Sequence, residues 1–537
     1  MKGWGGHLRA LPVRVKVIAV VVLLAAAGLA VYAPSVHNGF LMDDVHVVYQ
    51  NPLIRNVSFI LPCFLRPFLK FYYRPVTHLS FMADYGIWKL DPFGYHLTSI
   101  ILHICNSCLV FFLLFLLWND IRVACIAGLL FAVHPAAGIP VNYIADRSNL
   151  LSALFMLSAL ISFLSAFKFR NNRFIIPGFV FFVFALLSHE ISVVFPAYLV
   201  CIFAAMYDRR HVGKMAGIAA GAVCIAGAYF LIRMSILHYG AAAGNRDIFV
   251  SWQGVSSFFF MAVRYMRLVA YPRESVLIYT IGPELVSGMK GAMYAVLGIG
   301  VAGCAILAYR RLRGVWFGLS WFIAGILPLY YLMFSRPEMG VIMQDNWGYV
   351  PSIGLFAVFS FILATARRIA RLHVWIALVF AVALSYGSMS RAHSALWKDE
   401  LTYCSYWLNV VPRNPYAFNT LGALYGRAGD YATAKEYFRR GVDCFRGKGP
   451  SGRNDEILAG PLTAILYNNL GMVAEKEGDI AAAVGYYQSA VLVDEQNARA
   501  HARLAMIYAS MKDENKASFH KAEAMRIDPY CLAEHAL

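Results

Sequence analysis

Long hydrophobic runs separated by short polar or basic segments fill roughly the first 390 positions of the chain. Runs of this length are typical of helices that cross a bilayer. The run at 255–271 is interrupted by Arg264 and Arg267, and charges inside a membrane are costly, so we expect about eleven spans without it. The eleven lie at about 17–31, 93–117, 121–139, 150–167, 174–187, 191–206, 215–237, 292–309, 315–334, 351–364 and 374–389.

Basic clusters alternate with the other loops in a way that predicts the orientation. Clusters at 168–173, 208–211, 310–313 and 367–371 are read as cytoplasmic, because cytoplasmic loops carry an excess of Lys and Arg. The amino terminus is basic as well. Its first run resembles a signal peptide, yet reaches about spanning length and is read as an uncleaved anchor. The amino terminus is therefore predicted to be cytoplasmic, with the loop at 32–92 and everything after 389 on the periplasmic or lumenal side.

The pattern changes at Arg391, and a period near 34 residues appears from Asn414. Leu421-Gly422 is followed by Gly429-Asp430, and this order returns with Leu470-Gly471 and Gly478-Asp479. Such spacing is typical of tetratricopeptide repeats, in which small residues let paired helices approach. An insert at about 449–463 separates the first two of about three copies. We expect an all-α chain with a membrane bundle at 1–390, a connector at 391–413 and a repeat solenoid at 414–537.

Composition and charge agree with a polytopic membrane protein. The 537 residues are 60% hydrophobic and only 14% charged, which excludes an ordinary soluble globule. The net charge of +17 fits cytoplasmic loops facing lipid headgroups better than a nucleic-acid surface.

Asp43 and Asp44 are adjacent carboxylates at the point where the apolar chain first leaves the membrane. One interpretation is a helix cap or a surface turn after Gly39. The other is a general base that takes a proton from an incoming hydroxyl while its neighbour orients the acceptor or holds an ion.

Other polar residues near the outer ends of the spans form a second group of candidates. An arginine there either binds a lipid-linked phosphate or anchors a helix at the headgroups. His96 and His103 share one helix face and favour hydrogen bonding over metal binding. The remaining candidates of this group are Arg74, His134, Tyr143, Arg147, His189 and Glu190.

The order of these motifs resembles the transmembrane O-mannosyltransferases with carboxy-terminal tetratricopeptide repeats, of the GT-C architecture, over nearly the whole chain. The motifs are Asn38-Gly39-Phe40 before Asp43-Asp44, Tyr72-Tyr73-Arg74-Pro75, Gly94-Tyr95-His96, His134-Pro135, Tyr143 with Arg147, Ser188-His189-Glu190 and Tyr349-Val350-Pro351.

The resemblance implies transfer of a sugar from a polyprenyl-phosphate carrier to an acceptor hydroxyl, on protein Ser or Thr, at the outer face. Asp43 then corresponds to the catalytic base with Asp44 beside it, and Arg74, His134 and Arg147 to the phosphate ligands. The substrate cavity would be lined by His96, His103, Tyr143, His189, Glu190, Arg336 and Tyr349. The repeats would bind an acceptor chain. The acidic pair is compatible with a divalent cation and equally with none.

Three positions depart from the pattern of that family. Ile139 replaces a glutamate, His189 replaces a lysine, and Asn346 replaces an arginine in the last outer loop; Arg336 could substitute for the lost arginine. Two other classes of function therefore stay open. One is a non-enzymatic membrane scaffold that recruits envelope proteins through its repeats, and the other is a transporter of lipid-linked glycans.

Overall fold

The computed structural model describes residues 12–67, 72–206, 209–237, 251–281, 283–334, 341–367, 371–445, 456–528 and 531. These residues form an almost entirely helical protein, with one two-stranded sheet among them, and the chain divides into two compact units. The first unit holds most of residues 1–399, and the second holds 400–537 with short segments around 278–281 and 341–343.

The first unit contains the apolar helices. Their bounds are Val13–Tyr32, Pro75–Trp88, Pro92–Trp118, Ile121–Val133, Gly138–Asn142, Arg147–Lys168, Ile175–Ser188, Phe195–Ala205, Val212–Leu237, Trp252–Ala270, Pro283–Val286, Gly288–Arg311, Arg313–Phe334, Ser352–Ala366 and Leu372–Ala395. The helix Pro92–Trp118 packs against Val13–Tyr32, Ile121–Val133 and Arg147–Lys168, and so lies at the centre of the unit.

Seven helices among the described residues are long and apolar enough to cross a membrane, or eight if one bent pair counts as a single span. That pair, Ile121–Val133 and Pro135–Asn142, is bent by 55°. The other three of the eleven predicted spans are the shorter apolar helices Asn172–Ser188, Glu190–Ala205 and Ser352–Ala366. At about 1.5 Å per residue, helices of this length fall short of a 30 Å hydrocarbon core. The helix Trp252–Ala270, excluded from the predicted spans, is not among the candidates.

Residues 38–67, predicted as part of a long outer loop, fold into short helical turns. These are a π turn at Val45–Tyr49 and 3₁₀ turns at Pro52–Arg55, Val57–Phe59 and Pro62–Phe64. Val47, Val48 and Ile54 pack on Phe81 and Tyr95 in one buried cluster. The helix Pro75–Trp88, which supplies Phe81, was missed because polar residues break its apolar pattern. The predicted loop is therefore folded structure with a core of its own.

The second unit is the repeat solenoid that the 34-residue period predicts. Its helices are Glu400–Val410, Pro415–Arg427, Tyr431–Asp443, Glu456–Glu477, Ile480–Val493, Ala498–Ser510 and Glu514–Ile527, and its strands Tyr279–Thr280 and Ile342–Met343 pair antiparallel. Ile278 anchors the first strand, since its carbonyl accepts hydrogen bonds from Trp407 and Asn414. The described part of the predicted insert, 456–463, begins the long helix Glu456–Glu477.

Small residues at matching repeat positions explain the close helix pairs. A Cβ on Gly422 would lie 2.5 Å from the Phe438 ring, and one on Gly471 would lie 2.7 Å from the Tyr487 ring. The aromatic side chains thus fill the space that the missing methyl groups leave, as the repeat pattern predicts.

Candidate functional site

The turn at 41–45 holds the two adjacent aspartates in different environments. Asp44 is fully buried; its Oδ2 accepts a hydrogen bond from the Leu41 N–H at 3.1 Å and its Oδ1 one from the Ala145 N–H at 2.6 Å. Burial raises the pKa of the Asp44 carboxyl to about 8, against the lowering effect of these two N–H groups. Asp44 therefore joins the turn to a segment one hundred residues away.

The Asp43 side chain is exposed, although its backbone is fixed. The Asp43 N–H donates to the Tyr143 hydroxyl at 3.1 Å, and the Tyr143 ring is buried against Trp397. Met42, which precedes Asp43, has a φ of 47°, an unfavourable value for a residue with a side chain. Such backbone strain persists where the surrounding contacts hold the conformation in place, and it is concentrated at functional sites. The turn presents one accessible carboxylate on a rigid support.

Arg74 is engaged by a carboxylate. Its Nε and Nη2 donate to the two oxygens of Glu190, both at 2.8 Å, and its Nη1 donates to the Ser148 hydroxyl at 3.2 Å. The Tyr72 ring covers the guanidinium at 4.1 Å. Arg233 also lies close enough to interact electrostatically with Glu190 and His189. Asp146 also lies close enough to interact electrostatically with Arg74, so two guanidinium groups and two carboxyl groups come together here.

Arg147 occupies a different environment from the one predicted. It is fully buried, forms an ion pair with Asp84 at 2.5 Å and donates to the Tyr95 carbonyl at 2.8 Å. The Phe81 ring lies 4.8 Å from its guanidinium carbon. These contacts make Arg147 a buried link between helices.

The candidate histidines are buried as well. The His134 Nδ1 accepts from the Ala136 N–H, which makes Nε2 the donor to the Val269 carbonyl at 2.9 Å. The His103 Nε2 faces the Ala132 carbonyl, and its Nδ1 lies 2.8 Å from the Tyr349 hydroxyl. His189 Nδ1 accepts the Ile191 N–H at the start of a helical turn. Both nitrogens of His134 and of His103 are occupied within the protein.

His96 lies beside the turn that carries the aspartates. It is fully buried, and the backbone of Asn38 and Gly39 lies close to its ring. The structure therefore brings His96, Tyr143 and the two aspartates to one end of the first unit, while Arg336 lies outside the described residues.

The position of the expected arginine, Asn346, faces a second buried aspartate. The Asn346 Nδ2 donates to Asp146 Oδ1 at 2.8 Å, and Asn149 donates to the same oxygen at 2.7 Å. The neighbouring Asp345 binds Arg264 through both carboxylate oxygens, at 3.2 and 2.9 Å. Arg264, predicted to keep its helix out of the membrane, thus has a buried carboxylate partner.

Asp84 and Arg233 escaped the sequence analysis, and Asp146 was given no role although it lies between Tyr143 and Arg147 of the motif. Asp84 and Arg233 each lie within an apolar helical stretch and have no motif around them. An intramembrane charge requires a partner, and that rule could have prompted a search for one. Among the described residues, no group of three or more His, Cys, Asp or Glu side chains could hold a metal ion.

Comparison with known proteins agrees with both units. The family described as tetratricopeptide repeat matches residues 415–443 and 464–497. The chain is 25% identical over 442 residues to "Protein O-mannosyl-transferase F38B6.6" of Caenorhabditis elegans, covering 76% of this chain and 60% of that protein. It is 23% identical over 524 residues to "Protein O-mannosyl-transferase Tmtc1" of Drosophila melanogaster, with the same coverage.

A shorter match is closer in sequence. The chain is 31% identical over 173 residues to "Protein O-mannosyl-transferase TMTC3" of Mus musculus, covering 30% of this chain and 19% of that protein. The chain thus spans 60% or less of these three relatives. The predicted resemblance is confirmed: this chain is an integral membrane protein similar to the transmembrane O-mannosyltransferases that carry tetratricopeptide repeats.

Proposed function

We propose that this chain is a membrane glycosyltransferase that moves a monosaccharide from a polyprenyl-phosphate carrier to an acceptor hydroxyl, on protein Ser or Thr, at the outer face of the membrane. The observation that carries the proposal is the exposed Asp43 on a strained, anchored turn. The similarity to proteins named O-mannosyl-transferases supports the proposal.

Asp43 acts as the general base in this proposal. The acceptor oxygen attacks the anomeric carbon, its proton passes to the Asp43 carboxylate, and the bond between that carbon and the carrier phosphate breaks. The phosphate leaves with the electron pair. Asp44 cannot take the base role while both of its oxygens accept backbone hydrogen bonds, so it positions the turn. General base catalysis of this kind contributes about 10²–10⁴-fold in rate.

Arg74 and Arg233 are the proposed ligands of the carrier phosphate. Two guanidinium groups at one place suit a group that gains negative charge as it leaves, because positioned cations stabilise charge that develops in the transition state. Arg147 is fully buried against Asp84, and both nitrogens of His134 contact backbone groups, whereas Arg74 stays partly accessible beside a second guanidinium. We therefore assign Arg147 and His134 to the support of the fold. The cations that stabilise the leaving group are therefore different from most of those that the resemblance implied.

The repeat unit is proposed to bind the acceptor chain, as tetratricopeptide solenoids present a concave surface that suits peptides. The proposed topology keeps the amino terminus cytoplasmic and puts the loop of Asp43 outside. A reporter fused after Met389 is expected to be exposed on that outer side, and a cytoplasmic signal would contradict this topology.

Envelope or secreted glycopeptides compared between wild type, a deletion and Asp43→Asn test the activity. We expect the glycopeptides to fall by about 10²-fold or more in Asp43→Asn while thermal stability stays unchanged, because the side chain is exposed. Asp43→Glu, which keeps the carboxylate, is the matched control and should retain part of the activity. Activity measured with and without a chelator tests the requirement for a divalent cation.

The match of the repeats to a protein-binding family favours a scaffold as the second candidate. Unchanged glycopeptides in both the deletion and Asp43→Asn, with a phenotype lost only in repeat variants, would support it. A transporter would instead change the distribution of lipid-linked sugar across the membrane and give no glycosylated product.

A further inference from the structure

A cavity of about 340 Å³ lies among the basic segments that are predicted to be cytoplasmic. These loops are at the opposite ends of the helices from the loops of the candidate site. The cavity is lined by Ala166, Phe167, Arg170, Asn172, Arg210, His211 and Lys214. None of these described lining residues is acidic. The two basic segments that contribute to it, 168–173 and 209–214, contain six Lys and Arg residues, and the residue before the second segment in the sequence is an aspartate.

Lys214 is held in place by neutral groups. Its ammonium donates to the Asn172 side-chain oxygen at 2.7 Å and to the Ala166 carbonyl at 3.2 Å, and it lies 4.6 Å from the centre of the Phe167 ring. An ammonium has three donors, so these two acceptors leave one for a ligand. Neither acceptor is charged, and the positive charge of Lys214 is therefore not neutralised by them.

The start of the helix Val212–Leu237 adds to the positive potential of the cavity. Its first turn contains Lys214 and no acidic residue, and the 3₁₀ turn Arg209–His211 precedes it. Backbone N–H groups at the start of a long helix favour anions, and phosphate most often.

Three apolar helices end or begin beside the cavity. They are Ile144–Lys168, Asn172–Ser188 and Arg209–Leu237. Phe169, Phe174 and Ile176, which lie within or directly after the segment 168–173, have exposed side chains. Helix ends of this kind lie at the depth of lipid headgroups, where basic side chains meet anionic phospholipids.

We infer that this cavity binds a phosphate group, and the surrounding apolar side chains favour the phosphate of an anionic phospholipid over a free one. The inference does not rest on the proposed transferase reaction. The protein would then have a lipid-headgroup site at an end of the helical bundle whose residues are far from Asp43 in the sequence.

Two substitutions remove charge from the cavity with little strain. Lys214→Gln replaces the ammonium with a neutral amide on a shorter, unbranched side chain. Arg170→Asn suits a backbone φ of 50°, since Asn tolerates the left-handed region. Arg371→Gln is the matched control, because Arg371 is exposed, lies in a basic segment predicted on the same side, and does not line the cavity.

The test uses the purified full-length chain in neutral detergent, with phosphatidylglycerol, phosphatidylcholine or inorganic phosphate added and retention measured by native mass spectrometry. We expect retention of phosphatidylglycerol, and about tenfold or greater weakening in the Arg170→Asn/Lys214→Gln double variant with none in Arg371→Gln. Selective retention of inorganic phosphate alone would support the phosphate site and assign it a soluble ligand. Equal binding of phosphatidylglycerol by the double variant and by Arg371→Gln would overturn the inference. So would the absence of binding of both phosphatidylglycerol and inorganic phosphate by wild type. Thermal unfolding of each variant, matched to wild type, verifies that the fold is intact.

Discussion

Polar side chains have different structural roles in the two units. In the repeat unit the aspartates that begin the helices act within one helical turn: Asp430, Asp479 and Asp513 each accept the N–H three residues ahead and cap the next helix. In the membrane unit they join distant segments, as when Asp44 binds Ala145 and Arg74 binds Glu190. Local caps cost little when lost, whereas a buried long-range pair leaves an unpaired charge when one partner is removed.

The buried pair of Arg147 and Asp84 should show the largest effect. We expect Arg147→Met to destabilise the protein by about 3–5 kcal/mol, because it leaves the Asp84 carboxylate and the Tyr95 carbonyl without their donor. The double variant Arg147→Met/Asp84→Asn should recover a large part of this loss, since the uncompensated charge is gone. Thermal unfolding in detergent measures both. Additive losses in the double variant would show that the two side chains do not act as a pair.

Asp44 should show a smaller loss that depends on pH. In Asp44→Asn an amide NH₂ faces one of the two N–H donors, so we expect a loss of about 1–3 kcal/mol at low pH. Burial raises the pKa of Asp44 in the folded protein to about 8, above its value in the unfolded chain. The folded wild type therefore binds more protons, and its advantage is full below about pH 4 and is lost as pH rises through about 8.

Unfolding temperatures of wild type and Asp44→Asn between pH 5 and 9 measure this dependence. The excess in unfolding temperature of wild type over Asp44→Asn should shrink and then reverse as pH rises, because each unit of pKa shift corresponds to about 1.4 kcal/mol. Asp43→Asn is the control, because it makes the same substitution at the neighbouring, exposed aspartate. A difference that widens with pH would mean that Asp44 is ionised in the folded protein.

The same contrast explains what the sequence could predict. The repeats follow from a period and from small and acidic residues whose partners lie a few positions away. Gly422 and Gly471 were therefore identified with their role, and Asp479 with its place in the pattern. Asp43 was found because it stands beside a span. Asp43 is exposed while Asp44 is buried, and this difference depends on contacts with Tyr143 and Ala145, one hundred residues away. A single sequence contains no signal for that pairing. Arg147 illustrates the other limit, because a phosphate ligand and a buried ion-pair partner have the same sequence signature.

Asp479 should have a local effect. Replacing it with Ala removes the side-chain acceptor for the Ala482 N–H, and we expect a loss of about 1 kcal/mol. Hydrogen exchange should rise in the helix Ile480–Val493 and in its immediate repeat neighbours, while the amides of Arg147–Lys168 keep their wild-type rates. Faster exchange in both units would contradict the local action of the caps.

The turn inside each repeat offers the smallest change and the one that can stabilise the protein. Gly429 and Gly478 have φ values of 83° and 81°, and Lys512 occupies the matching place in the third repeat with a φ of 61°. In all three the next residue, an aspartate, donates its N–H to a carbonyl five residues back, so the backbone geometry is shared. Lys512→Gly should stabilise the repeat unit by about 0.5–1 kcal/mol, because only glycine adopts this conformation without a steric cost. Gly478→Lys is the reciprocal variant and should destabilise it by a similar amount, as read from thermal unfolding. If both substitutions lower the unfolding temperature, the Lys512 side chain contributes more by its contacts than its backbone conformation costs.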